Sequence, residues 1–97
     1  MRLSFHEQQV IKETIRRFDP SARIYLYGSR ARPELKGGDI DLLVISDQLV
    51  YRDKITILVE IKTALGEQKI DLLLKNTTEE KTDPFVIQIL PEAVELS

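Results

Sequence analysis

A chain of 97 residues, 42% hydrophobic and 31% charged, has the balance of a folded soluble protein and room for a single domain over residues 1–97. A formal net charge of -2 supplies no general drive toward nucleic acid or an anionic membrane, and the absence of cysteine beside a lone His6 excludes thiolate and histidine metal centres, leaving only oxygen ligands. No apolar run approaches the roughly 20 residues of a membrane span and the N-terminus lacks a signal-peptide pattern, so a cytoplasmic protein with no membrane contact and no direct nucleic-acid binding is expected.

Ser4 followed by Glu7 is a capping-box pattern, and Val10, Ile11, Ile15 and Phe18 then recur at helical spacing up to Asp19-Pro20. Arg23 to Tyr27 is rich in β-formers and stops at Gly28, which predicts a strand entering a tight turn. One helical turn is predicted between Ser29 and Leu35. Lys36-Gly37-Gly38 then connects to a second strand, Ile40 to Ile45.

A second helix is predicted from about Asp53 to Leu65, with Ile55, Leu58, Ile61 and Leu65 as its apolar stripe and Gly66 at its end. Lys69 to Leu74 reads as a third strand, Asn76 to Asp83 as polar loop, and Asp83-Pro84 as the start of a short helix ending near Pro91. Ala93 to Leu96 reads as an edge strand. The pattern predicts an α+β fold, a small mixed β-sheet with helices packed on one face.

Side chains two apart on a strand share a face. Ile24, Leu26, Ile40, Leu42, Val44, Ile70, Leu72 and Leu74 make one apolar face, expected to lie beneath the helices. Tyr25, Tyr27, Asp39, Asp41, Leu43, Asp71 and Leu73 fall on the other, which is expected to be uncovered. Three carboxylates thus share one side of the sheet. Two unit charges about 4 Å apart cost on the order of 4 kcal/mol at an effective dielectric near 20, so a cation between them is expected. With oxygen donors alone, magnesium or manganese fits, and such ions leave positions for phosphate oxygens.

Gly28-Ser29 suits a phosphate neighbour, because glycine lets backbone amides approach an anion and the serine hydroxyl adds a donor. Arg30 and Arg32 follow closely enough for a guanidinium to hold phosphate oxygens. Taken singly, a Gly-Ser turn is ordinary loop chemistry, Asp-x-Asp is a common solvated strand start, and Asp71 is a natural partner for Lys69. Their order and spacing carry more.

Tyr27-Gly28-Ser29, a nine-residue spacer and Asp39-Ile40-Asp41-Leu42 together resemble the signature of the DNA polymerase β-like nucleotidyltransferase superfamily. Within it, Gly28-Ser29-Arg30-Ala31-Arg32 most resembles the minimal nucleotidyltransferase (MNT) domains, and Asp71 in Lys69-Ile70-Asp71-Leu72 matches the third family carboxylate. The resemblance spans nearly the whole chain. It implies a nucleotidyltransferase-like fold, with Asp39, Asp41 and Asp71 as catalytic residues and ligands of Mg2+ or Mn2+. It also implies a nucleoside triphosphate, with ATP the expected substrate, on Gly28 and Ser29, with Arg30 and Arg32 beside it. Such domains are commonly encoded beside all-α HEPN proteins in toxin and antitoxin pairs, and some members transfer AMP to a tyrosine of the toxin.

The implied function is therefore transfer of AMP from ATP to a hydroxyl of a HEPN-type toxin. Pro33 stands where the family usually has glycine, and Gly38 where many members have serine before the first aspartate. Proline removes an N–H, and glycine at 38 removes a hydroxyl donor. The alternative, from a different class, is an antitoxin that neutralises its partner by contact without transferase activity.

Overall fold

A computed structural model describes residues 1–32, 34 and 37–96. Helix α1, Phe5–Phe18, opens on the predicted capping box: Glu7 N–H donates to Ser4 Oγ at 3.0 Å and Ser4 N–H donates to Glu7 Oε1 at 2.8 Å. Two orphan donors of the first turn are satisfied reciprocally, and Ile11 and Ile15 are then fully buried against the sheet.

Strand β1, Arg23–Tyr27, runs into a 3-10 turn at Gly28–Ala31. Strand β2 is Ile40–Ile45, helix α2 is Tyr51–Leu65 and strand β3 is Ile70–Lys75. Helices α3, Thr77–Thr82, and α4, Pro84–Ile89, follow, and a 3-10 turn at Leu90–Glu92 leads to strand β4, Val94–Leu96. The strand order is β3-β2-β1-β4, with β1 antiparallel to β2 and β4, and β2 parallel to β3. Helix α2 makes the crossover that the parallel pair requires. The α+β expectation and its mixed sheet hold. Among the described residues no helix is long and apolar enough to cross a membrane.

The main core is the predicted apolar face: Ile24, Leu26, Ile40, Leu42, Val44, Ile70 and Leu72 pack with Ile11 and Ile15 of α1 and Ile57 and Ile61 of α2. Helix α2 keeps Leu58, Ile61 and Leu65 of the expected stripe on the core, but Ile57 takes the place of Ile55. Ile57 and Ile61 face the sheet, Leu58 and Leu65 flank them, and Ile55 is 42% exposed. Because Ile55, Ile57, Leu58, Val59 and Ile61 are all apolar, periodicity alone does not choose the face.

Two further expectations are corrected. The polar stretch after β3 is helical, because Asn76 accepts from Glu79 N–H at 2.8 Å while the Glu79 carboxylate accepts from Asn76 N–H at 2.9 Å. This helix, α3, has no apolar stripe and buries no residue, so nothing in its periodicity announced it. The second sheet face is not bare either. Val86 of α4 joins Leu43 and Ile45 in a second buried cluster, with Tyr25, Tyr27, Leu73, Ile89 and Leu90 around it. Asp83 caps α4, accepting from Phe85 N–H at 2.9 Å, and its other carboxylate oxygen pairs with Lys75 Nζ at 2.7 Å. That anchor ties α4 to the end of β3. The two long helices lie on one face as expected, while the short α4 covers part of the other.

Candidate nucleotidyl-transfer site

The end of β1 sets the geometry. Gly28 has φ +75°, and a β-carbon there would stand 2.5 Å from Oδ2 of Asp41. Glycine is therefore required twice, once for the left-handed backbone and once for the approach of a carboxylate. Ser29 follows with its hydroxyl packed against Gly37, whose missing side chain leaves the room.

Asp41 and Asp71 are register partners on the parallel strands β2 and β3, and Tyr27 is the register partner of Asp41 on β1. A phenol and two carboxylates thus form one row across three strands. Burial, together with the charges of Asp71 and Asp39, pushes the Asp41 carboxyl above its usual range, and the Lys69 ammonium partly opposes this. Burial and the two charges of Asp41 and Asp71 likewise raise the Tyr27 phenol. The repulsion inferred from strand parity is thus present, centred on Asp41.

Asp39 lies just before β2, and its Oδ2 is 3.7 Å from Lys69 Nζ. Lys69, weighed from sequence as a partner for Asp71, lies against Asp39. A cavity of about 340 Å3 opens beside the row, lined by Tyr27, Gly28, Ser29, Arg32, Phe85, Ile89 and Glu92.

A family model described as nucleotidyltransferase domain matches residues 8–96. The chain belongs to the nucleotidyltransferase domain family. Membership carries a role in nucleotidyl transfer, and the match runs from within α1 to the end of β4. Comparison with curated proteins gives no match.

Within this nucleotidyltransferase domain the sequence-derived site residues divide. Gly28, Ser29, Asp41 and Asp71 converge at the ends of β1, β2 and β3. Arg30 turns elsewhere: its NH1 donates to Arg2 O at 2.9 Å and its NH2 to Gly38 O at 3.0 Å, with Glu7 3.9 Å away. That guanidinium fastens the N-terminal segment to the connector through backbone carbonyls. Arg32 lines the cavity and pairs with Glu92 at 2.5 Å. Pro33 lies outside the described residues.

The donor set suits a hard divalent cation, since it is all carboxylate and repels itself around Asp41. Convergence is incomplete. Among the described residues no three acidic or histidine side chains form a group able to hold a metal ion. Asp41 and Asp71 fit as a facing pair, and Asp39 would have to leave Lys69 to join them.

Phe85, Ile89 and Glu92 were not singled out from sequence. The first two belong to the predicted short helix and Glu92 follows it, and only the fold brings this segment over β1.

Proposed function

We propose that this nucleotidyltransferase domain transfers AMP from ATP to a protein hydroxyl, with a HEPN-type all-α toxin as acceptor and Mg2+ or Mn2+ as the required cation. The observation that carries the reading is the facing of Asp41 and Asp71 beside the Gly28-Ser29 turn. The likeness of Gly28 to Arg32 to the minimal nucleotidyltransferases supports the choice of acceptor.

Asp39, Asp41 and Asp71 would hold the metal. When bound, such an ion neutralises the carboxylates, binds phosphate oxygens and eases ionisation of the acceptor hydroxyl. Gly28 and Ser29 offer backbone and hydroxyl donors to the triphosphate. Asp71 is the exposed carboxylate of the facing pair, so the acceptor approaches from its side and its hydroxyl proton passes to an Asp71 Oδ atom. The acceptor oxygen bonds to the α-phosphorus, the bond to the β-phosphate bridging oxygen breaks, and pyrophosphate leaves.

A second reading is favoured by one observation, the engagement of Asp39 with Lys69. A domain whose third carboxylate stays with its lysine would bind the toxin without modifying it.

Incubation of the domain and its partner with α-labelled ATP and magnesium separates the two. Label on the partner, reduced at least about 10²-fold by Asp71→Asn, is expected of the enzyme. Inhibition of the partner without label supports the contact antitoxin, and equal labelling by Asp71→Asn and wild type removes Asp71 from the mechanism.

A further inference from the structure

The cavity beside Gly28 and Ser29 has a character that a phosphate site does not need. Phe85 and Ile89 of α4 line it, and Phe85 leaves 48% of its surface in solvent. That ring thus leaves aromatic surface open to a ligand beside the polar turn.

The Phe85 and Tyr27 rings meet at an interplanar angle of 80° with centroids 6.0 Å apart, forming a right-angled corner rather than a stack. Such a corner accepts a flat heteroaromatic ring, lying on one face and abutting the other. The Arg32–Glu92 pair also lines the cavity, with side chains 42% and 66% exposed. An ion pair this wet contributes little to stability, so its members are free to exchange partners. Together they present guanidinium donors and carboxylate acceptors side by side, the complement of a purine edge that carries ring nitrogens and an exocyclic group. The volume of about 340 Å3 lies within the range of small-molecule pockets.

We propose that this cavity receives the nucleobase of the donor nucleotide, packed against Phe85 and Ile89 with its polar edge toward Arg32 and Glu92. The inference rests on the nucleotide-transfer reading and adds what that reading lacks, the group that distinguishes a nucleotide from bare triphosphate. The carboxylates of β2 and β3 and the corner of β1 and α4 then flank Tyr27 from two sides, one for phosphorus chemistry and one for the base.

The test is calorimetric titration of the full chain with magnesium ATP and with magnesium tripolyphosphate, which carries the charge without the base. Wild type is expected to bind ATP at least about tenfold more tightly than tripolyphosphate. Phe85→Ala is expected to weaken ATP by about 5- to 100-fold, the range of one base–aromatic stack, and to leave tripolyphosphate affinity unchanged. Phe85→Tyr keeps the ring and is expected to keep ATP affinity, which separates stacking from general damage to α4. Glu92→Gln is expected to change the ratio of ATP to GTP affinity.

Equal wild-type affinity for ATP and tripolyphosphate, or unchanged ATP binding in Phe85→Ala, overturns the base site while leaving the transfer reading intact. Loss of partner labelling in Phe85→Ala with ATP affinity preserved gives the pocket to the acceptor and also overturns it. A wild type that binds neither ligand removes the transfer reading and the base site together.

Discussion

Asp41 brings a carboxylate oxygen to within 2.5 Å of the point where Gly28 would carry a side chain. The Gly28-Ser29 turn and the carboxylate of Asp41 are thus fitted to each other, one through an atom it lacks. Gly28→Ala must both adopt φ +75° and displace Asp41. The left-handed backbone alone costs about 1–2 kcal/mol. The variant is expected to melt below wild type and to lose nucleotide transfer. Combined with Asp41→Ala, it should cost less than the sum of the two changes, because the clash disappears while the backbone strain stays. Melting temperatures of the four proteins in the cycle measure this, and strict additivity would show that the two residues do not meet.

Lys69 competes with any cation for Asp39. Lys69→Met removes a positive charge beside the carboxylates and releases Asp39, so Mn2+ affinity is expected to rise, by roughly 2- to 5-fold for an exposed pair worth up to about 1 kcal/mol. Titration of Mn2+ by paramagnetic relaxation reads it directly. Unchanged affinity would place the metal away from Asp39.

Gly38 has open space around a would-be β-carbon, with nothing within 4 Å, and its φ is not positive. Gly38→Ser supplies a hydroxyl donor beside Asp39 and meets no steric obstacle. Stability is expected to stay equal or rise by about 0.4–1 kcal/mol, from a less flexible unfolded chain. Transfer rate is expected to rise. A drop in melting temperature would contradict the open space, and an unchanged rate would show that the serine hydroxyl is dispensable.

Away from the site, Arg23 binds Glu80 through both guanidinium nitrogens, joining β1 to α3. This hydrogen bonding holds the Glu80 carboxyl below its usual value. A depressed carboxyl contributes stability that is full above its unfolded value near 4.5 and is lost as pH falls through its folded value. Glu80→Gln is therefore expected to cost about 1 kcal/mol at neutral pH, and to remove that part of the acid dependence below about pH 4.5. Thermal melts at pH 7 and in acid check both halves. A variant whose loss persists undiminished in acid would attribute it to packing.

Much of the frame was readable in the residues. β1 and β2 begin and end as the run of β-formers and the stop at Gly28 indicate, and period-two alternation places Asp41 and Asp71 on the same face. Capping pairs announced α1 and α4 because the signal is local chemistry, a side chain meeting a backbone three residues away. Where several apolar residues crowd together, as in α2, the buried face depends on what the helix meets, and sequence offers no preference between Ile55 and Ile57. The path of α4 across the second face was likewise illegible, since it depends on Lys75 reaching Asp83 and on Val86 finding Leu43. Arg30 shows the same limit at the site: its position beside Ser29 was plain, but the carbonyls that occupy it belong to Arg2 and Gly38.

The parallel pairing of β2 with β3 sets how far apart in the chain the two halves of the Asp41–Asp71 pair lie. Tyr27, Gly28 and Asp41 belong to adjacent antiparallel strands, whose closure spans a short connector. Asp71 arrives only after the chain has passed through α2 and docked on the far edge of β2, a longer closure with a larger entropic barrier. A chain that keeps only the β1–β2 pair therefore holds Asp41 without its facing carboxylate, and the row is complete only with β3 docked beside it.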